Sequence, residues 1–326
     1  MGGPVSLRFD GWIPFRLFWQ GGQPGVEWLY LGNRRLTEPF FEAAVQTAVQ
    51  TPFNSLFRFR TPAQALEDWH STSPGLKPSG FIFHLSRCGS TLITQMLAAL
   101  DGSVVLSEPG VLDRTIRSHL RAPQATETQR IDWLRWLVSA LGQPRTGEER
   151  HLFIKFEPRH ILDFDRIRSA FPDVPWVFVY REPVEVLVSN LQKPSALVTR
   201  GMYGLDAVTA DPELAGVDDD EYAARMLGIV AEAAVVCASQ SPGGMLVEYR
   251  ELPDAVWRRL PAHFGLAFTD ADIDRMKSAA VFDAKQPSRR FEADTETKQR
   301  HASERIRTLA DRWIRPAYRT LEKLRS

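Results

Sequence analysis

The chain has 326 residues, enough for one large α/β domain or two smaller ones, and its 44% hydrophobic and 25% charged residues match a soluble globular protein. Lys+Arg and Asp+Glu each number 40, so no global basic field argues for nucleic acid, and an anion site has to be a local cluster. Two cysteines exclude a disulfide framework and fit a reducing cytoplasm; no Cys/His cluster has zinc spacing, no apolar run approaches membrane-spanning length, and the N-terminus does not read as a signal peptide.

Residues 1–78 read as an aromatic-rich extension. The stretch FRLFWQGGQPGVEWLYLG predicts two strands joined by a Gly/Pro turn. A helix is predicted from Thr37, as its cap, to about Gln50, and a second from Thr61-Pro62 to about His70. STSPGLKPSG is a linker. A hairpin is marginal by itself, so this extension should pack on the main domain, either as plain structure or as a lid over an acceptor site.

Residues 80–100, GFIFHLSRCGSTLITQMLAAL, are the stretch around which the rest is organised. Phe81–Ile82–Phe83 suits a buried strand, and Leu92, Ile93, Met96, Leu97 and Leu100 recur at helical spacing. The turn between them holds Ser86, Arg87, Cys88, Gly89, Ser90 and Thr91. Strand, small-residue turn and helix form the layout of a phosphate-binding loop, with amide groups and the positive dipole end offered to an anion. Gly89 permits close backbone approach, the hydroxyls add donors, and Arg87 adds a cationic fork. The motif is not the ATP-binding one, because Ser90 follows Gly89 where a lysine would stand.

Ser103–Leu106 predicts a second strand, with Glu108 at its end. Ligands of open parallel sheets bind outside the carboxyl ends of strands, so Glu108 is either a general base or a helix-start carboxylate. Two helical patterns fill 111–141. Leu152–Phe156 predicts a third strand in which Lys155 either snorkels or aims at an anion.

Val177–Tyr180 is a continuous apolar strand, buried on both faces, with Arg181 at its end. Pro183 opens the next helix and Ser189 follows eight residues after Arg181. Arginine fork and serine hydroxyl suit a phosphate. Residues 195–220 are irregular, Glu221–Ser239 is a long apolar helix, and Met245–Glu248 is a further strand. Asp254–Phe264 and Asp270–Ala279 read as helices. A basic Pro/Ser loop then carries Lys285, Arg289, Arg290, Lys298 and Arg300, either folding back over a dianionic ligand or lying solvated, and the last helix, 302–324, should kink or restart at Pro316.

Together these residues resemble the sulfotransferases that use 3′-phosphoadenosine 5′-phosphosulfate (PAPS). Arg87-Cys88-Gly89-Ser90-Thr91 is similar to the family's 5′-phosphosulfate loop, with Cys88 in place of the usual serine. Arg181-Glu182-Pro183 with Ser189 is similar to its 3′-phosphate motif. Tyr249-Arg250-Glu251-Leu252 resembles its Tyr-Glu-Asp-Leu segment, and Ser288-Arg289-Arg290 stands in for its late basic loop. The resemblance covers residues 80–325.

It implies a three-layer, P-loop-like α/β domain at 79–326 with a central parallel sheet flanked by helices, the extension 1–78 lying outside it. It implies a PAPS co-substrate, no metal, a small-molecule acceptor, Glu108 as base and Arg87 as a catalytic cation; composition adds the expectation of a cytoplasmic protein without nucleic-acid or membrane partners. His84 reads as structural. A P-loop kinase or nucleotide hydrolase with a displaced cation, or a non-catalytic nucleotide-binding module, are the alternatives. The acceptor and the oligomeric state stay open.

Overall fold

The structure, a computed structural model, describes residues 9–202, 211–292 and 294–325, apart from the side chain of residue 287. Strands β1 (Trp12–Gln20), β2 (Gln23–Tyr30) and β3 (Phe59–Pro62) form one antiparallel sheet. Strands β4 (Pro78–His84), β5 (Ser103–Ser107), β6 (His151–Lys155), β7 (Trp176–Tyr180) and β8 (Gly244–Glu248) form a five-stranded sheet in the order β5-β6-β4-β7-β8. The pairs β5–β6 and β7–β8 are parallel. Helices Ser90–Ala98, Gly110–Ile116 and Pro183–Gln192 follow β4, β5 and β7. The expected central parallel sheet flanked by helices is therefore present. Its strands β5 and β7 are buried at every position, which is why they read as unbroken apolar runs rather than alternating ones. Strands β9 (Phe282–Asp283) and β10 (Gln286–Arg290) pair in a small ribbon.

By contacts the chain divides into two compact units, one of residues 1–81, 94–156 and 163–174, the other of 82–93, 157–162 and 175–326.

In the first unit the hairpin β1–β2 pairs Gln20 with Gln23 across the Gly21-Gly22 turn, where both glycines have positive φ. β3 adds a third strand, so the extension has a sheet of its own. The Trp28 ring stacks on Phe9 at 4.2 Å and meets Trp69 at 5.6 Å, and its indole N–H donates to Thr61 Oγ1 at 2.9 Å. Thr61 thus lies in β3 and does not cap a helix; the helix starts at Gln64. Thr37 does not cap either, since the helix Phe41–Val49 begins after an extended Phe40. The helix Glu127–Leu141 is capped by Thr126, which exchanges hydrogen bonds with Gln129. Trp12, Phe53, Leu56, Phe57, Arg58 and Phe59 line an open groove of about 500 Å³.

In the second unit the 22-residue helix Asp219–Gln240 packs on Glu304–Trp313 and Arg315–Arg325. It is long and apolar enough to cross a membrane, contrary to the sequence reading, but 56% of its apolar window is buried inside the protein, as in a core helix. A Cβ at Gly228 would meet the Trp313 carbonyl oxygen at 2.4 Å, so glycine permits that helix contact. The C-terminal pattern breaks into two helices around Ile314, with Pro316 in the first turn of the second. The predicted helix 254–264 is likewise two short helices, Ala255–Arg258 and Leu260–Phe264.

Candidate active site

The loop after β4 has an unusual backbone. Among the described residues, the non-glycine residues of positive φ are Ser86 (54°), Arg87 (48°) and Glu108 (53°). Each sits at a strand end that the sequence marks as functional. Such conformations cost roughly 1–3 kcal/mol and persist only where the surroundings over-determine them.

For the loop those surroundings are visible. The Ser86 amide donates to His84 Nδ1 at 3.1 Å, and the Ser86 hydroxyl bonds Asn190 Oδ1 at 3.1 Å and Ser195 Oγ at 3.2 Å. Asn190, fully buried, donates in turn to the Val186 carbonyl at 3.0 Å. Arg87 Nη2 donates to the Lys193 carbonyl oxygen. The helix Pro183–Gln192 and the turn after it therefore hold the strained loop in shape. His84, 4% exposed, serves the loop as an acceptor, consistent with a structural role.

Gly89 has φ +88°, and a Cβ there would lie 2.7 Å from Leu252 Cδ1 and 2.9 Å from Tyr249 Cδ2. Both the conformation and the space require glycine. The helix begins at Ser90, with Ser90 and Thr91 buried, and the amides of Leu92 and Ile93 turn back to the Gly89 carbonyl. The Cys88 thiol is directed inward, 3.1 Å from the Val179 carbonyl oxygen of β7. This weak donor is thus engaged with the sheet.

Arg181, at the end of β7, is 3% exposed. Its Nε donates to Glu185 Oε2 at 2.6 Å, and Nη2 reaches Asp294 Oδ1 at 2.9 Å and Thr295 Oγ1 at 3.2 Å. Its guanidinium carbon stands 3.8 Å from the centroid of the Tyr249 ring. Burial works against the Arg181 charge, but Asp294, Tyr249 and Glu185 outweigh it and push its pKa up. Burial pushes the Tyr249 hydroxyl up, against the pull of Arg181. The Tyr249 ring fills the space that a side chain at Gly89 would need, on one strand-end loop, and stands against Arg181 on the other. Both anion motifs of the sequence therefore meet on one side chain.

Ser189 lies half-buried on the helix Pro183–Gln192, four residues after Glu185 and so on the same face as that carboxylate. Ser288, Arg289 and Arg290 lie exposed on β10, where Arg289 Nη1 bonds Gln286 Oε1 at 3.3 Å. From this late basic stretch, the residues at Arg181 are instead Asp294 and Thr295. The buried Lys298 joins them, with Nζ 2.6 Å from Asp294 Oδ2.

In the first unit, Glu108 and Lys155 form a pair at adjoining strand ends. The Glu108 amide donates to the Lys155 carbonyl at 2.8 Å, and Lys155 Nζ lies 2.8 Å from Glu108 Oε1. Lys155 is fully buried, and its ammonium stands 4.9 Å from the Phe40 ring centroid. The Gly110 amide donates to Glu42 Oε1 at 3.2 Å. The aromatic-rich extension thus packs against this strand end through Phe40 and Glu42.

Glu185, Asp294 and Thr295 were not singled out from the sequence, while Tyr249 stood there only in its Tyr-Arg-Glu-Leu segment and Lys298 only as one cation of the basic stretch. Glu185 carried a signal, since Arg181 and Glu185 are four apart across a helix start. Lys298 carried one as a cation of the late basic stretch, whereas Asp294, more than a hundred residues from Arg181, carried none.

The sheet and the loop after β4 define an α/β protein with a strained strand–loop–helix. No protein-family model matches the chain, and no curated protein does. Among solved structures it is similar to the sulfotransferase domain from the curacin biosynthetic pathway, at 16% identity over 77% of this chain and 97% of that one, with a TM-score of 0.45. It is also similar to the sulfotransferase domain of the Synechococcus PCC 7002 olefin synthase (16% identity, 78% and 96% covered, TM-score 0.43). A third is a sulfotransferase from Alicyclobacillus acidocaldarius (15% identity, 76% and 96% covered, TM-score 0.43).

Proposed function

We propose that the chain is a sulfotransferase that moves a sulfuryl group from PAPS to a hydroxyl or amine of a small-molecule acceptor. The observation that carries this reading is the Tyr249 ring, which lies against both Gly89 and Arg181. A donor phosphorylated at its 5′ and 3′ positions needs two anion sites in one neighbourhood. A loop of strained backbone ahead of a helix, and a buried arginine, supply the two kinds of group that hold phosphates.

In this reading the loop amides of residues 88–91 and Arg87 hold the 5′-phosphosulfate. They stabilise the charge that grows on the leaving phosphate oxygen. Arg181 and Ser189 hold the 3′-phosphate, which separates this donor from ATP. Glu108 takes the proton of the acceptor as the new S–O or S–N bond forms and the S–O bond to the phosphate breaks. Lys155 supplies the countercharge to Glu108. Ser288, Arg289 and Arg290 fold towards the bound nucleotide. Fixed cations suffice for a transfer in which positioning and electrostatics dominate, so the reading requires no metal. The extension, which meets the Glu108 strand end through Phe40 and Glu42, contributes to the acceptor side.

Thermal shift with adenosine 3′,5′-bisphosphate against ATP plus magnesium tests the donor. The bisphosphate should stabilise the protein, and stabilisation by ATP alone would falsify the proposal. Turnover of labelled PAPS tests the base: Glu108→Gln should cut the rate about a hundred- to ten-thousandfold while donor binding persists. Unchanged turnover in that variant removes Glu108 from the chemistry.

A further inference from the structure

Arg181 does not face an open space in this structure. The carboxylate of Asp294 sits on it, and the same carboxylate holds a second buried cation. Asp294 Oδ1 accepts from Arg181 Nη2 at 2.9 Å, and Oδ2 lies 2.6 Å from Lys298 Nζ. The side chains of Arg181 and Lys298 are 4% and 9% exposed, whereas that of Asp294 is 46% exposed. Two buried cations thus converge on one half-exposed, two-oxygen anion. That is the arrangement expected where a phosphate group is to be held.

The remaining contacts fit a site built around an exchangeable anion. Glu185, its side chain 8% exposed, grips the guanidinium through Nε and fixes its plane independently of Asp294. Thr295 Oγ1 donates to Glu185 Oε2 at 3.2 Å, and Gln299 Nε2 donates to Glu182 Oε2 at 3.1 Å. These bonds tie the helix Thr295–His301 to the helix Pro183–Gln192 without using Asp294. Asp294 precedes the first of these helices and makes no side-chain cap bond to it. Its carboxylate can therefore leave without undoing the helix contact.

The balance of charge points the same way. Burial raises the Asp294 carboxyl, but hydrogen bonds from Lys298 and Arg181 overcome this and hold it below the ordinary aspartate range. Burial lowers Lys298, and Arg181 adds to that, with Asp294 working in the opposite direction. Each cation gains from an anion at this spot, and a phosphate dianion brings more charge than a carboxylate.

We propose that Asp294 is a built-in surrogate for the 3′-phosphate, which displaces it and takes both Arg181 and Lys298. The inference rests on the PAPS reading and adds two things to it. Lys298 becomes a ligand of the 3′-phosphate, and Asp294 becomes an internal competitor that sets how tightly nucleotides bearing that phosphate bind.

Calorimetry with adenosine 3′,5′-bisphosphate and with adenosine 5′-monophosphate tests it. The proteins compared are the wild type, Asp294→Asn, Asp294→Ser and Lys298→Gln, each first shown to unfold cooperatively. Both Asp294 variants should bind the bisphosphate about fivefold or more tightly, and Lys298→Gln about tenfold more weakly. Binding of the monophosphate should not change in any of them. If the wild type binds the bisphosphate and the Asp294 variants bind it equally or more weakly, the surrogate role is overturned while the donor reading stands. If neither the wild type nor the Asp294 variants bind it, the donor reading itself falls, and the inference with it.

Discussion

The two strand-end sites of the second unit reach the same end by different means. The loop after β4 is contiguous and works through backbone: three positive-φ residues, Ser86, Arg87 and Gly89, and a helix start at Ser90. The site after β7 is assembled from side chains far apart in sequence, with Arg181 held by Glu185, Asp294, Thr295 and the Tyr249 ring. The first is costly in conformation and the second in desolvation. The first should therefore fail by steric change and the second by loss of charge balance.

The largest effect is expected at Arg181. Arg181→Ala leaves Glu185 buried beside Asp294 without their shared cation. Removing one partner of a buried pair costs about 3–5 kcal/mol, so the denaturation midpoint should drop sharply. A double variant, Arg181→Met with Glu185→Met, should recover much of that stability without recovering nucleotide binding. An Arg181→Ala protein as stable as the wild type would show that the network carries no such charge debt.

Gly89→Ala comes next. The added Cβ meets Leu252 and Tyr249 in a conformation that L-residues avoid. The cost should be about 1–3 kcal/mol. Bisphosphate binding should fall more than stability does, because the loop backbone itself moves. Tyr249→Leu is milder. It removes the ring that Gly89 and Arg181 share, and the lost cation–π contact is worth about 0.5–2 kcal/mol in urea unfolding. If the ring joins the two sites, this variant should weaken monophosphate and bisphosphate binding alike.

The smallest effect is a pH dependence. The folded Asp294 carboxyl lies below its ordinary value, the result of Lys298 and Arg181 overcoming burial. Its contribution to stability is complete above the unfolded value, roughly pH 4, and is lost as the pH falls through the folded one. The stability difference between wild type and Asp294→Asn should thus be constant near neutrality and shrink below roughly pH 4. A difference that grows on acidification contradicts the assignment.

What was legible in the sequence follows the same division. The parallel sheet was readable because β5 and β7 are buried at every position and carry unbroken apolar runs. The loop was readable because its parts are consecutive, and Gly89 announces a close approach. Glu108 and Lys155 were each visible as charged residues at strand ends, but their pairing depends on β5 and β6 being neighbours, which neither stretch states. Thr61 looked like a helix cap because a proline follows it; its hydroxyl is taken by the Trp28 indole, and β3 forms instead. Lys298 was legible as a cation of the basic stretch, but its meeting with Asp294 at Arg181 was not, because that arginine lies on a strand end over a hundred residues away. Net charge gave no hint, since each cation there is matched locally.

The central claim is that the loop at 86–91 and Arg181 serve one nucleotide carrying phosphate at both ends. Calorimetric titration of the wild-type protein with adenosine 3′,5′-bisphosphate and adenosine 5′-monophosphate tests it most directly. Binding of the bisphosphate at least about tenfold tighter than the monophosphate, a difference of about 1.4 kcal/mol, is the predicted result. Equal affinities, or a preference for ATP with magnesium over both, would contradict it.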